Sequence, residues 1–108
     1  MKKGYVILSG SVDGATCDDD GFINCANFAL ASGIVHKTLE EAKEIRKQIM
    51  ETDLADFQDL WKEEDGYSIE QGEMNDYDGS ISDTYIDVYY NGDVTNETIY
   101  KIAEVEYE

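Results

Sequence analysis

Residues 81–92 read ISDTYIDVYYNG, and this stretch decides the fold. Thr84, Ile86, Val88 and Tyr90 alternate with Asp83, Tyr85, Asp87 and Tyr89, the two-residue period of a strand with one face toward a core. Asn91-Gly92 follows at once, and this pair is the strongest short hairpin signal because both central residues of a type I′ turn need positive φ. A return strand is expected from about residue 98 to 107, with Ile99, Ala103, Val105 and Tyr107 inward and Glu104, Glu106 and Glu108 outward. A start only after Asn96 would make the loop longer than two residues.

Upstream of the hairpin, Thr38-Leu39-Glu40-Glu41 spells a capping box, in which the Thr38 hydroxyl accepts from the Glu41 amide. Ala42, Ile45 and Ile49 then recur on one helical face. The apolar phase slips at Met50, Leu54, Phe57 and Trp61, which form a second stripe, and Asp53 with Asp56 has the chemistry of a new helix start. The spacing therefore predicts a kink near residues 52–53, or two consecutive helices, ending by about residue 64. Trp61 beside Phe57 and Leu60 reads as a core anchor.

Residues 3–9 (KGYVILS) are short and β-rich, a strand. Residues 12–21 are a turn-rich acidic loop. Residues 22–31 (FINCANFALA) suit a strand or a short helix, with strand preferred. Residues 63–80 are polar and Gly-punctuated, with a short strand at 67–71. The sum is one α+β domain over residues 1–108: a small antiparallel sheet of about four or five strands, order β(β)-α(α)-βββ, with a capped helix or a kinked helix pair on one face. There are no internal repeats and no proline.

Charge is the most informative part of the composition. The chain carries a formal −17 in 108 residues. Residues 1–50 hold seven acids and six bases, whereas residues 51–108 hold eighteen acids against Lys62 and Lys101. Such a field repels nucleic-acid phosphates and anionic membranes and attracts basic protein surfaces or cations. Acidity also serves solubility, although solubility needs far less charge than this. The many Ile, Tyr and Asn residues, with Lys outnumbering Arg, do not suit adaptation to high salt. Met1-Lys2-Lys3 before a short apolar run and Cys17 faintly resembles a lipoprotein leader, but the run is shorter than the roughly 7–15 residues a signal core needs. No stretch approaches the ~20 apolar residues of a membrane span. A cytoplasmic location is expected, with Cys17 and Cys25 as reduced thiols whose spacing matches neither a redox pair nor a zinc knuckle.

Catalytic constellations are weak. His36 is the only histidine, and no signature surrounds Cys17 or Cys25 that would make either a nucleophile beside it. With twenty-five acids, close carboxylate pairs arise by chance and diagnose nothing. Gly10, Gly14 and Gly21 match no phosphate loop. Neither an enzyme nor a bound cofactor is expected. Two segments, Asp18-Asp19-Asp20-Gly21 and Asp76-Tyr77-Asp78-Gly79, resemble part of an EF-hand loop. Asp18, Asp20, Asp76 and Asp78 are therefore the candidate calcium ligands. The bidentate Glu is absent from both segments, with Asn27 or Tyr85 in its place, and Asp-Gly turns before strands account for the pattern as well.

The remaining constellation is acidic and aromatic. Seven of the eight tyrosines lie between Tyr67 and Tyr107, in the half that holds the charge excess. Same-face neighbours on a strand stand about 6.7 Å apart, so Asp83, Tyr85, Asp87 and Tyr89, with Glu104 and Glu106 on the next strand, would make an evenly spaced anionic row with tyrosine anchors. The row is the candidate partner-binding surface. The expected function is an acidic module that docks on a basic surface of a nucleic-acid-handling protein. In charge and size alone it resembles the nucleic-acid-mimicking, anti-defence inhibitors of phages and mobile elements. The alternatives are a calcium-binding domain and an accessory domain with no activity of its own.

Overall fold

The computed structural model describes residues 2–13, 29–74 and 81–107. Strands β1 (Lys2–Asp13), β2 (Ala29–Leu30), β3 (Tyr67–Met74), β4 (Asp83–Tyr90) and β5 (Asp93–Tyr107) form one sheet, and helix α1 (Leu39–Trp61) packs against one of its faces. The spatial order is β2-β1-β5-β4-β3, antiparallel throughout. The first and last strands are thus central neighbours, paired from Lys2↔Tyr107 to Asp13↔Asn96. Both β1 and β3 run longer than their apolar residues suggest. Of residues 22–31, Ala29 and Leu30 pair with β1 as a strand, and residues 22–28 lie outside the described part, as does most of the acidic loop expected at 12–21.

The helix starts where the capping box places it, with the Thr38 hydroxyl accepting from the Glu41 amide at 3.1 Å. It then continues without interruption for 23 residues, so of the forms expected the two consecutive helices give way to a single capped helix. The phase slip came from counting only apolar residues. Arg46 is buried on the inward face, where Nη1 donates to the Ser82 carbonyl at 2.7 Å. Asp53 caps nothing: it accepts from the buried Tyr100 hydroxyl at 2.6 Å. With these two polar residues restored to the inward stripe beside Ala42, Ile49 and Phe57, the helical period is unbroken. Burial pulls the Arg46 guanidinium below its ordinary value, while Glu73 and Asp83 oppose that pull. Ile7, Ala42 and Ile102 form the core under the helix, with Tyr5, Leu39, Ile45, Ile49 and Ile81 packed around them.

The hairpin forms at Asn91-Gly92, with φ of 53° and 88°. It is a two-residue turn, and β5 begins at once with Tyr90↔Asp93 and Tyr89↔Val94 rather than near residue 98. The next pair is Val88↔Asn96, so Thr95 is an extra residue, a β-bulge. Its hydroxyl donates to the Val88 carbonyl at 3.1 Å. An extra residue reverses which face every later side chain points to. Continued from the turn without a bulge, the register would put Ile99, Ala103 and Val105 under the helix, as the alternation predicts. With it, Thr98, Tyr100 and Ile102 face the helix, and Glu104 and Glu106 share their side. Ile99 lies on the opposite face yet is fully buried there, with Gly10 and Tyr85 as its cross-strand neighbours. A central strand buries apolar residues on both faces, which is why the inward set was not legible from hydropathy. Among the described residues, no helix is long and apolar enough to cross a membrane.

Candidate docking surface

The six residues of the expected anionic row do not share a face. Asp83, Tyr85, Asp87 and Tyr89 lie on the sheet face away from the helix, and the bulge carries Glu104 and Glu106 to the other. Nor are the acids of β4 free. Asp83 is 3.2 Å from Lys101 Nζ, with its side chain 17% exposed, and Asp87 is buried. The Tyr85 ring lies over Gly72, where a Cβ would come within 2.6 Å of the hydroxyl. Tyr89 is half-buried, and of the two β5 acids Glu104 sits 3.5 Å from Lys3 while Glu106 is exposed.

The bulge assembles a different group on the open face. Register sets Glu70, Asp87 and Glu97 directly opposite one another across β3, β4 and β5. One oxygen of Asp87, Oδ1, is buried without a hydrogen-bond partner. Two ionised carboxylates cannot donate to each other, so their meeting favours keeping a proton on the pair. Burial, then the hydrogen bond to Asp87 and its charge, push Glu97 up to about 8. Asp87 is raised as well, chiefly by burial. This row therefore presents less negative charge at neutral pH than its composition implies.

The exposed charge gathers elsewhere, on the second half of α1 and the turn after it. Residues 51–65 contain seven acids and one base, Lys62. Asp53 is taken by Tyr100, but Glu51, Asp56, Asp59, Glu63, Glu64 and Asp65 are exposed. Lys62 is held 3.0 Å from Asp59. The last helical turn carries no base, although a helix C-terminus favours cations by about 0.3–1 kcal/mol each. Folding alone would not place carboxylates there. Trp61 anchors this end: its ring lies 5.5 Å from that of Tyr90 and 6.4 Å from that of Tyr67. The Asn91 amide donates to the Gly66 carbonyl at 3.0 Å, tying the turn after α1 to the hairpin. Helix end, turn and hairpin tip, with exposed Asp93, thus form one acidic corner. The row reading overlooked this corner, although acids crowding a helix C-terminus with one lysine were visible in the sequence.

His36 is a buried junction residue, with a Glu41 carboxylate oxygen 3.6 Å from its Nδ1. Its backbone bridges to Tyr5 through two 2.8 Å hydrogen bonds, and Nε2 lies 3.1 Å from the Ser32 hydroxyl. Cys17, Cys25 and the calcium candidates Asp18, Asp20, Asp76 and Asp78 all lie outside the described residues. Among the described residues, no three His, Cys, Asp or Glu side chains are grouped to hold a metal ion. Comparison with protein-family models, with curated proteins and with solved structures finds no match to this chain.

Proposed function

We propose that the protein is a cytoplasmic binding module, without enzymatic activity of its own, that docks an acidic surface onto a basic surface of a nucleic-acid-handling protein. The observation that carries this reading is the exposed carboxylate group of residues 51–65, set against the helix dipole and left nearly without local cations. Charges that cost the helix a little stability are expected where they serve recognition, by steering a cationic partner and rejecting anionic ones. Inhibition by occupying a nucleic-acid groove follows as one outcome of such docking.

The test is affinity capture from a cell lysate at low and high salt, with the wild type and with a variant carrying Asp56→Asn, Asp59→Asn, Glu63→Gln and Glu64→Gln. These side chains are exposed, so the fold is retained. Nucleic-acid-binding proteins should be retained at low salt, released at high salt as screening shortens to a few ångströms, displaced by excess duplex DNA, and lost with the variant. Partners held equally at high salt, or equally by the variant, would rule the reading out.

A further inference from the structure

Beside the acidic corner, a groove of about 480 Å³ runs between the last two turns of α1 and the bulged start of β5, lined by Phe57, Leu60, Trp61, Val88, Thr95 and Asn96. Val88 is its fully buried floor, and Leu60, 74% exposed, stands at its edge. The bulge shapes the sheet side: Thr95 is the unpaired residue, its hydroxyl spent on the Val88 carbonyl, and the Asn96 side-chain oxygen accepts from Thr98 at 3.1 Å. The volume lies within the range of ligand sites. A leucine so exposed among carboxylates leaves an apolar side chain uncovered at the groove's edge, and covering it with an apolar partner is favourable.

We infer that this groove takes the apolar side chains of a basic amphipathic segment of the partner, whose Lys and Arg side chains meet the carboxylates around it. The inference rests on the docking function proposed above and names where the apolar part of that contact falls. Asp56 stands one helical turn before Leu60, on the same edge, and Asp59, Glu63 and Glu64 follow along the chain, all exposed. The local cation, Lys62, is engaged by Asp59. An acidic segment would be repelled from this surface. A second copy of the chain is disfavoured too, because it brings the same acidic corner and a formal −17 of its own.

Trp61 is the chain's single tryptophan and lines the groove, so its emission reports occupancy directly. The probes are a synthetic helical peptide of Leu and Lys and a control of equal charge with Ser in place of Leu. The Leu–Lys peptide should bind and move Trp61 emission to shorter wavelength, whereas the Ser–Lys control should bind more weakly without that shift. Leu60→Ser should weaken the Leu–Lys peptide by about tenfold, the size of a contact worth about 1.4 kcal/mol, and leave circular dichroism and Tm unchanged because Leu60 is exposed. Equal binding of both peptides, with no effect of Leu60→Ser, overturns the groove but keeps the acidic docking surface. Binding of neither peptide overturns both. A Trp61 shift that appears on concentrating the protein alone, and vanishes in Leu60→Ser, would make a second copy the occupant and equally overturn the inference.

Discussion

Asp87 on β4 and Glu97 on β5 face each other across the sheet, and the register that pairs them exists only because Thr95 is bulged out between Val94 and Asn96. Two acids that would otherwise lie on opposite faces meet where burial and neighbouring charge favour a protonated form. Their meeting makes stability depend on pH in a direction unusual for carboxylates.

Glu97 is raised in the folded protein to about 8 from an ordinary value of 4.5. The native state therefore holds a proton that the unfolded chain releases near pH 4.5. The contribution is fully present below the unfolded value and is lost as pH rises through about 8. Urea unfolding between pH 5 and 9 should show the wild type losing stability with rising pH more steeply than Glu97→Gln, whose neutral amide can donate to Asp87 throughout. Parallel slopes for the two proteins would mean that the pair holds no proton.

The Tyr100 hydroxyl bonds Asp53 across the helix–sheet interface, and burial, with help from this bond and the Asp53 charge, pushes the phenol well above its ordinary range. Tyr100→Phe should cost roughly 1.5–3 kcal/mol in urea unfolding, the range for a hydrogen bond to a charged group. Asp53→Ala should cost a similar amount or more, because it leaves a buried hydroxyl without its acceptor. If the double variant lost the full sum of the two, the residues would not be coupled.

Deleting Thr95 tests the bulge itself. Without it, Val94 joins Asn96 directly, so Tyr89↔Val94 runs on into Val88↔Asn96 and every later residue keeps its partner and its face. The deletion should therefore preserve cooperative unfolding and cost about 0.5–1.5 kcal/mol, the worth of the lost hydrogen bond from Thr95 to the Val88 carbonyl. Thr95→Gly, which keeps the extra residue but loses the same bond, should cost a similar amount. A deletion variant that no longer unfolds cooperatively would show that the bulge itself, and not only the register beyond it, is needed.

Gly72 lies under the Tyr85 ring, where an added Cβ would stand 2.6 to 3.1 Å from three ring and hydroxyl atoms. Gly72→Ala should destabilise by roughly 1 kcal/mol, at the low end of overpacking costs because the ring of the half-buried Tyr85 can swing aside. In a Tyr85→Ala background the same change should be neutral or stabilising, since glycine is a poor strand residue on its own. Equal effects in both backgrounds would place the strain somewhere other than the ring.

Much of the architecture was legible from local chemistry. Thr38 to Glu41 named the start of the helix, Asn91-Gly92 named the turn, and the alternation from Thr84 to Tyr90 named the core face of β4. Each of these signals is carried by neighbours in the chain, through a hydrogen bond or a φ preference that needs nothing distant. The candidate surface was not legible in the same way. Arg46 and Asp53 look like solvent residues until Ser82 and Tyr100, far away in sequence, supply their partners.

From its residues alone, the chain determined an α+β domain, the hairpin, the capped helix and the concentration of negative charge in its second half. Tertiary structure alone decided which carboxylates stand together. One unpaired threonine inverted the face of every later residue of β5, dividing the row expected from alternation and leaving the helix end as the exposed acidic surface. The physical reason is that a strand's side chains alternate with a period of two, so a single inserted residue, invisible in hydropathy, reverses every position after it.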